Sequence, residues 1–538
     1  MDKSILRWKY RSSYVIVLLS WSTGLTNVFH SPKLLLEIGI FNYLLVHVVV
    51  MVIVGIPMTL TELAVSQYSL KSVVRCWDVC PFFRGVGYGK FILIAIFHVY
   101  YNSLNSYLLS YCFAPLPSEA SRVVNGSNIE AFWYNEIIQN KGFPNWKLVA
   151  SLTAHTILEF IINFNGTKLL ENILPLLYYL SIFELIVLLC VIGASPGGME
   201  GVKCLYTKQI DFNYLLIWKK EGILLQVFQM YLYSIGLALG GFSDIAAQGS
   251  FRNPLYKISV WVNLANLGTT LVYGNLFSML NGIVQPNTTK CKSEIGPEKD
   301  FSFIFTKIPN ALNGGIWKYI FYSSLYLKGV CTSSLMLKTI LDVIYEEKPE
   351  LLSYSRLCCI VFSICNFLLG SLIFTNLGFI IGQFIVDVII QIFLPLIVTI
   401  QAVTIVFIYG LFRFTTDLYF MLGVYPTIYW PLCLTLSVIA LPILSTVSII
   451  NYFKTTNLTD FNLTLFKGIV SVTLAWIPFM AMVRVIRKVK FDLIFRSSPN
   501  WNPPDGLETS RKQFEEQHCV EEFLYERYLL QRKLKRYE

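Results

Sequence analysis

Apolar residues occupy this chain in long blocks. Runs of roughly 18 or more recur from end to end, each long enough to cross a hydrocarbon core of about 30 Å. The pattern predicts twelve helical spans, at 13–36, 41–69, 88–113, 147–164, 171–193, 219–249, 256–283, 317–345, 354–376, 380–411, 426–451 and 464–486. Two of them are interrupted. Span 1 carries SWSTGLTNVFHSP at 20–32, and span 6 carries YSIGLALGGFSDIAAQGS at 233–250. In lipid every backbone polar group needs a partner, so irregular backbone persists only where it lines a cavity inside the protein. Spans 1 and 6 each open a group of five. Gly-broken spans at matching positions of two halves point to inverted repeats and a binding site near the bilayer midplane. Helix packing is the competing use of such small residues.

Composition narrows the class. Of 538 residues 55% are hydrophobic and only 14% charged, which excludes an ordinary soluble domain. The expectation is an all-α polytopic membrane protein: a segment 1–12, a helical domain 13–489 and a charged tail 490–538. The net charge is +10, but Lys and Arg are spread over short loops and both tails. Helix-end anchoring and the positive-inside bias explain that better than nucleic acid does. The basic stretch Met1 to Arg11 has no cleavage site behind it, so the amino terminus is expected in the cytoplasm. An even span count puts the carboxyl terminus there too, in a multi-pass protein of the plasma membrane.

The sequons agree with this topology. Asn125, Asn287, Asn457 and Asn462 fall in loops expected outside, where glycosylation occurs, and Asn165 falls inside. The twelve cysteines show no CxxC metal spacing. Only Cys204 and Cys291 lie in loops expected outside, so one disulfide is open to them. No nucleophile–base constellation, Walker loop or metal motif is present, and CPFFRGVGYGK at 80–90 lacks the phosphate-loop spacing. An enzyme is therefore not expected.

Several motifs together resemble the neurotransmitter:sodium symporters, solute carrier family 6. Trp8 and GLTNVFHSP correspond, as do VGIPMTLTELAVSQYS at 54–69, CPFFRGVGYG at 80–89, VYYN at 99–102, FRNPLYK at 251–257 and LDVIYEEKP at 341–349. The resemblance implies a LeuT-type five-plus-five inverted repeat with helices 1 and 6 broken. It places a first sodium site at the Ser22 carbonyl, Asn27, Ser234 and Asn266, whose uncharged oxygens suit a hard cation. It places a substrate carboxylate at the amides around Gly24 and Thr26 with the Tyr101 hydroxyl, and a side-chain pocket at Phe97, Tyr233 and Leu239. Glycine at position 24, where the family's monoamine carriers have aspartate, implies an amino-acid-like substrate that brings its own carboxylate.

Other positions depart from the family pattern. At the second sodium site, Ser20 and Thr23 would offer carbonyls, but span 8 supplies Lys328, Cys331 and Thr332. A thiol is a soft ligand, and a mid-membrane lysine is a functional candidate by default. Its ammonium could stand in for sodium, or it could snorkel along the helix. The chloride site would be His47, Met230, Ser234, Asn266 and Thr270; Met230 cannot donate a hydrogen bond, which puts chloride in question. His30 and Asp387 take the places of the outer gate. At the inner mouth Ile5 replaces the family arginine, leaving Lys3 or Arg7 to face Glu346. Three functions follow from this reading. The first is a sodium-driven symporter working by alternating access, with helices 1, 2, 6 and 7 rocking against the rest. The second is the same fold with sodium-independent or proton-linked transport. The third is a non-transporting receptor or accessory protein.

Overall fold

The computed structural model describes residues 8–113, 145–207, 222–284, 303–306, 308, 312, 316–455 and a few positions between 479 and 517. All regular structure in these residues is helical. Eleven of the twelve expected spans lie in them; the span at 464–486, apart from three isolated positions, and all four outer sequons lie outside the described residues. Cys204 is disulfide-bonded, and its partner also falls outside them.

Span 1 is α1 (Arg11–Ser22) and α2 (Thr26–Ile38), with non-helical backbone between. Span 2 is α3 (Ile40–Ser69), and span 3 is α4 (Arg84–Phe113). Then come α5 (Trp146–Asn163), α6 (Thr167–Ala194) and a short amphipathic α7 (Gly198–Thr207). Span 6 divides into α8 (Ile223–Ile235) and α9 (Gly241–Ala247). The remainder is α10 (Leu255–Val284), α11 (Ile316–Glu347), α12 (Ser355–Ile373), α13 (376–410), α14 (Leu411–Leu422) and α15 (Tyr429–Thr455). Six described helical segments are long and apolar enough to cross a membrane. The broken spans fail that length test because the break interrupts them.

Local sequence explains the irregular points. Gly236 and Gly240 hold left-handed backbone at the ends of the second break, where a side chain would be strained. Ala238 between them also has a positive φ, an uncommon state for a residue with a Cβ. Single π-turns interrupt α3 at Met51–Gly55 and α13 at Ile389–Phe393 and Thr404–Gly410. Such turns often sit at functional sites. Where the pattern predicts one span ending at 411, Gly410 (φ 97°) turns the chain into the separate α14.

The core is one large apolar cluster threaded by the broken helices, with two small satellites around Leu341 and Val343. Helix α11 packs along α4 and α6, α9 along α3, and α10 along α2. The two breaks thus face each other at the centre, enclosed by α4, α10 and α11.

Candidate functional site

The break in span 1 leaves the Ser22 carbonyl outside any helix ladder. Two side-chain amides reach it: Asn27 Nδ2 donates at 2.7 Å and Asn266 Nδ2 at 2.8 Å. Asn266 Nδ2 also meets Asn27 Oδ1 at 3.1 Å, Thr270 Oγ1 donates to the same oxygen at 3.4 Å, and Ser234 Oγ donates to Asn266 Oδ1 at 3.3 Å. Ser22, Asn27, Asn266 and Thr270 are fully buried, and Ser234 nearly so. Four elements therefore bring neutral oxygen donors to one point. Turning either amide end for end would present its oxygen to a cation without moving the backbone.

Beside this point the Leu25 N–H donates to the Tyr101 hydroxyl at 2.6 Å. A Cβ at Gly24 would lie 2.7 Å from that hydroxyl and 3.0 Å from Thr332 Oγ1. Only glycine allows this approach. The Leu25 amide was not legible in the sequence, because which N–H faces Tyr101 depends on where the helix unwinds. Thr26 lies within hydrogen-bond reach of Tyr233. Phe97 and Tyr233 pack with centroids 5.3 Å apart, and both are buried, as is Leu239.

The second group behaves differently. Thr332 Oγ1 donates to the Ser20 carbonyl at 3.3 Å, so part of the expected arrangement is present. Cys331 Sγ is turned to the Leu174 carbonyl instead. Thr23 Oγ1 bonds back to Leu19 within its own helix. The Lys328 ammonium lies 4.9 Å from the centroid of the Tyr273 ring, a cation–π contact. No hydrogen bond joins it to Ser20 or Thr23, as a stand-in for sodium would require.

Of the chloride candidates, His47 Nδ1 meets the Tyr43 hydroxyl at 3.0 Å, and its Nε2 is buried without a partner. Met230 is only partly buried and adds no donor. At the outer gate His30 sets its ring edge-on to Tyr233, with centroids 5.6 Å apart. Asp387 acts electrostatically on the same tyrosine.

At the opposite mouth the expected partners of Glu346, Lys3 and Arg7, fall outside the described residues. The Glu346 carboxylate accepts the Ser72 N–H at 3.2 Å. Arg75 and Arg84 pair with the adjacent Glu347, each at 3.2 Å, and Lys338 is a buried cation of the same mouth. The Lys338 ammonium bonds to Asp342 and to Gln248 Oε1 (2.5 Å), lies 3.6 Å from Asp244 and stands under the Trp8 ring. Trp8 Nε1 donates to the Ile245 carbonyl at 3.2 Å, tying the start of the chain to α9. One turn of α11 separates Lys338 from Asp342, which an i,i+4 pairing permits.

A second buried lysine holds the break in span 6. Lys90 Nζ donates to Glu62 Oε1 at 2.8 Å and to Gln401 Oε1 at 2.9 Å. The same carboxylate accepts the Ala238 N–H at 3.3 Å and the Ser243 hydroxyl at 3.3 Å. Glu62 therefore satisfies backbone freed by the unwinding and needs Lys90 as its counter-charge. A charged residue inside an apolar run is the signal that marks Lys90 and Lys338, as it marks Lys328.

Two matched broken helices around a buried, oxygen-rich cradle define the class: an all-helical membrane protein with the LeuT-type fold. The model of the sodium:neurotransmitter symporter family matches residues 6–129 and 117–491. The chain belongs to that family. It is 23% identical to a sodium- and chloride-dependent glycine transporter 1 of Xenopus laevis, over 80% of this chain and 76% of the relative. It is 24% identical to the human sodium- and chloride-dependent neutral and basic amino acid transporter B(0+), over 92% of this chain and 89% of the relative. Among solved structures it shares its fold with MhsT in complex with L-phenylalanine (TM-score 0.65, 18% identity), over 83% of this chain and 99% of that one.

Proposed function

We propose that this protein is a sodium-coupled symporter of a small amino acid. The observation that carries the proposal is the cradle at the first break. Ser22, Asn27, Ser234, Asn266 and Thr270 supply neutral oxygens beside the Leu25 amide and the Tyr101 hydroxyl that it donates to. Sodium at the oxygens and a carboxylate at Leu25 and Tyr101 would neutralise each other, so each raises the affinity for the other. Relatives named for glycine and for neutral and basic amino acids support that substrate class. Lys328 leaves the second family position without an evident ion, so we assign coupling to the first site alone. In this reading the Trp8 end of the bundle is cytoplasmic and the His30 end faces outward.

Uptake of a pooled labelled amino-acid mixture, in sodium and in sodium-free buffer, tests this. Uptake should fall at least about tenfold without sodium, and Asn27→Ala should have a similar effect in sodium. Sodium-independent uptake abolished by Lys328→Ala would favour the lysine-for-sodium alternative. Surface-exposed protein that takes up no amino acid under any condition would favour the non-transporting one.

A further inference from the structure

Helix α4 serves two sites. Phe97 and Tyr101 line the substrate cavity, and the residues directly after them, His98 and Asn102, enter a polar cluster shared with α5, α11 and α12. His98 Nε2 lies 2.8 Å from Glu159 Oε1, and Asn102 Nδ2 donates to Glu159 Oε2 at 2.9 Å. His155 Nε2 is 3.2 Å from Asn102 Oδ1, and its Nδ1 is 3.3 Å from the Tyr326 hydroxyl. Asn366 closes the cluster by contacting His98 Nδ1. His98, Asn102, His155, Glu159 and Asn366 are all 6% exposed or less. The proposed transport chemistry uses none of these polar groups, and apolar packing would hold four helices together at lower cost.

The proton count of His98 depends on one amide. With Nε2–H donated to Glu159, Nδ1 is an acceptor as drawn, because it meets Asn366 Nδ2. Asn366 Oδ1 is meanwhile buried without a partner. Turning that amide end for end keeps its shape and sets Oδ1 against Nδ1. Nδ1 must then carry a proton, and His98 becomes an imidazolium beside a carboxylate. The same cage fits both protonation states.

We infer that the His98–Glu159 pair is a proton-binding site whose occupancy tunes the substrate cavity through α4. The other titratable groups facing it are His155 from α5, Tyr326 from α11 and Cys359 from α12. The coupling half rests on the transport function proposed above; the proton-binding half does not.

The test exploits a count: the chain has five histidines, so single substitutions assign each ring. Purified full-length protein labelled with nitrogen-15 at histidine is titrated from about pH 5.5 to 9, following the ring resonances. A second proton taken up by the His98 ring during the titration supports the site. Glu159→Gln removes the charge that favours imidazolium and should raise the proton concentration needed by about tenfold. Should that variant not fold, Asn366→Asp sets a second carboxylate at Nδ1 and should lower it by a similar factor. A ring that keeps one charge state throughout, or that titrates alike in all three proteins, overturns the proton site. Uptake of the pooled amino acids at pH 6 and pH 8, with ion gradients collapsed, should differ about threefold or more in the wild type, and the midpoint of that change should move to lower pH in Glu159→Gln. A titrating His98 with pH-independent uptake overturns the coupling. The spectrum is readable whether or not any amino acid is transported, so failure of the transport reading shows separately, as absent uptake.

Discussion

At the scale of single residues, Gly24 and the buried lysines Lys90, Lys328 and Lys338 decide most. A Cβ at position 24 would collide with Tyr101 and Thr332, both held by neighbouring helices. Gly24→Ala should leave the fold intact, judged by its elution as a single species, and reduce uptake more than about a hundredfold. Lys328 rests on an aromatic face with no carboxylate beside it. Lys328→Met, similar in length and uncharged, should keep sodium-dependent uptake within about threefold of wild type; loss of uptake would show that the charge is used. Lys90 differs because Glu62 depends on it. Lys90→Met leaves a buried carboxylate uncompensated and should cost about 3–5 kcal/mol in unfolding experiments, and adding Glu62→Gln should recover much of that loss. All four residues are visible in the sequence as misfits: one glycine in a polar break, three lysines in apolar runs. Their partners are not visible, since each is set by which helix packs alongside.

At the scale of elements, the two breaks were legible because glycine and small polar residues accumulate where a membrane helix cannot stay regular. The cluster at the Trp8 mouth was not. Its lysine and one of its carboxylates share a single helix, α11, and only the fold brings Asp244 and Trp8 to them. Sequence comparison with the family directed attention instead to Lys3, Arg7 and Glu346. Lys338→Met should loosen this mouth. Cys76 is buried just inside it, lining a small cavity with Glu62, Lys90 and Gln401. Its alkylation, followed peptide by peptide in intact protein, should then speed up about tenfold relative to wild type. An unchanged rate would mean that Trp8 and Gln248 hold the mouth shut without the lysine.

At the scale of the whole molecule, the twelve-span pattern and the resemblance identified the fold, and the charged tail read as a simple appendage. The structure makes part of that tail a strap. Trp501 stacks on Tyr68 at the end of α3 with centroids 4.6 Å apart. Arg511 Nε and Nη2 both reach Asp417 Oδ1 of α14, at 2.9 Å and 2.7 Å, and the Tyr409 hydroxyl donates to Asp417 Oδ2. Charge composition marks a solvated tail well, but it does not register two or three anchoring side chains spaced far apart. Arg511→Ala should lower the unfolding temperature measurably and leave the apparent KM for the amino acid unchanged, because the strap touches no residue of the cradle.

The Lys90–Glu62 pair also constrains descent. Either residue lost alone leaves a charge stranded in the core, so most single-step changes at these positions would be removed by selection before the second arrived. A lineage can acquire or discard the pair only by both changes in close succession. The two positions are therefore expected to vary together among near relatives.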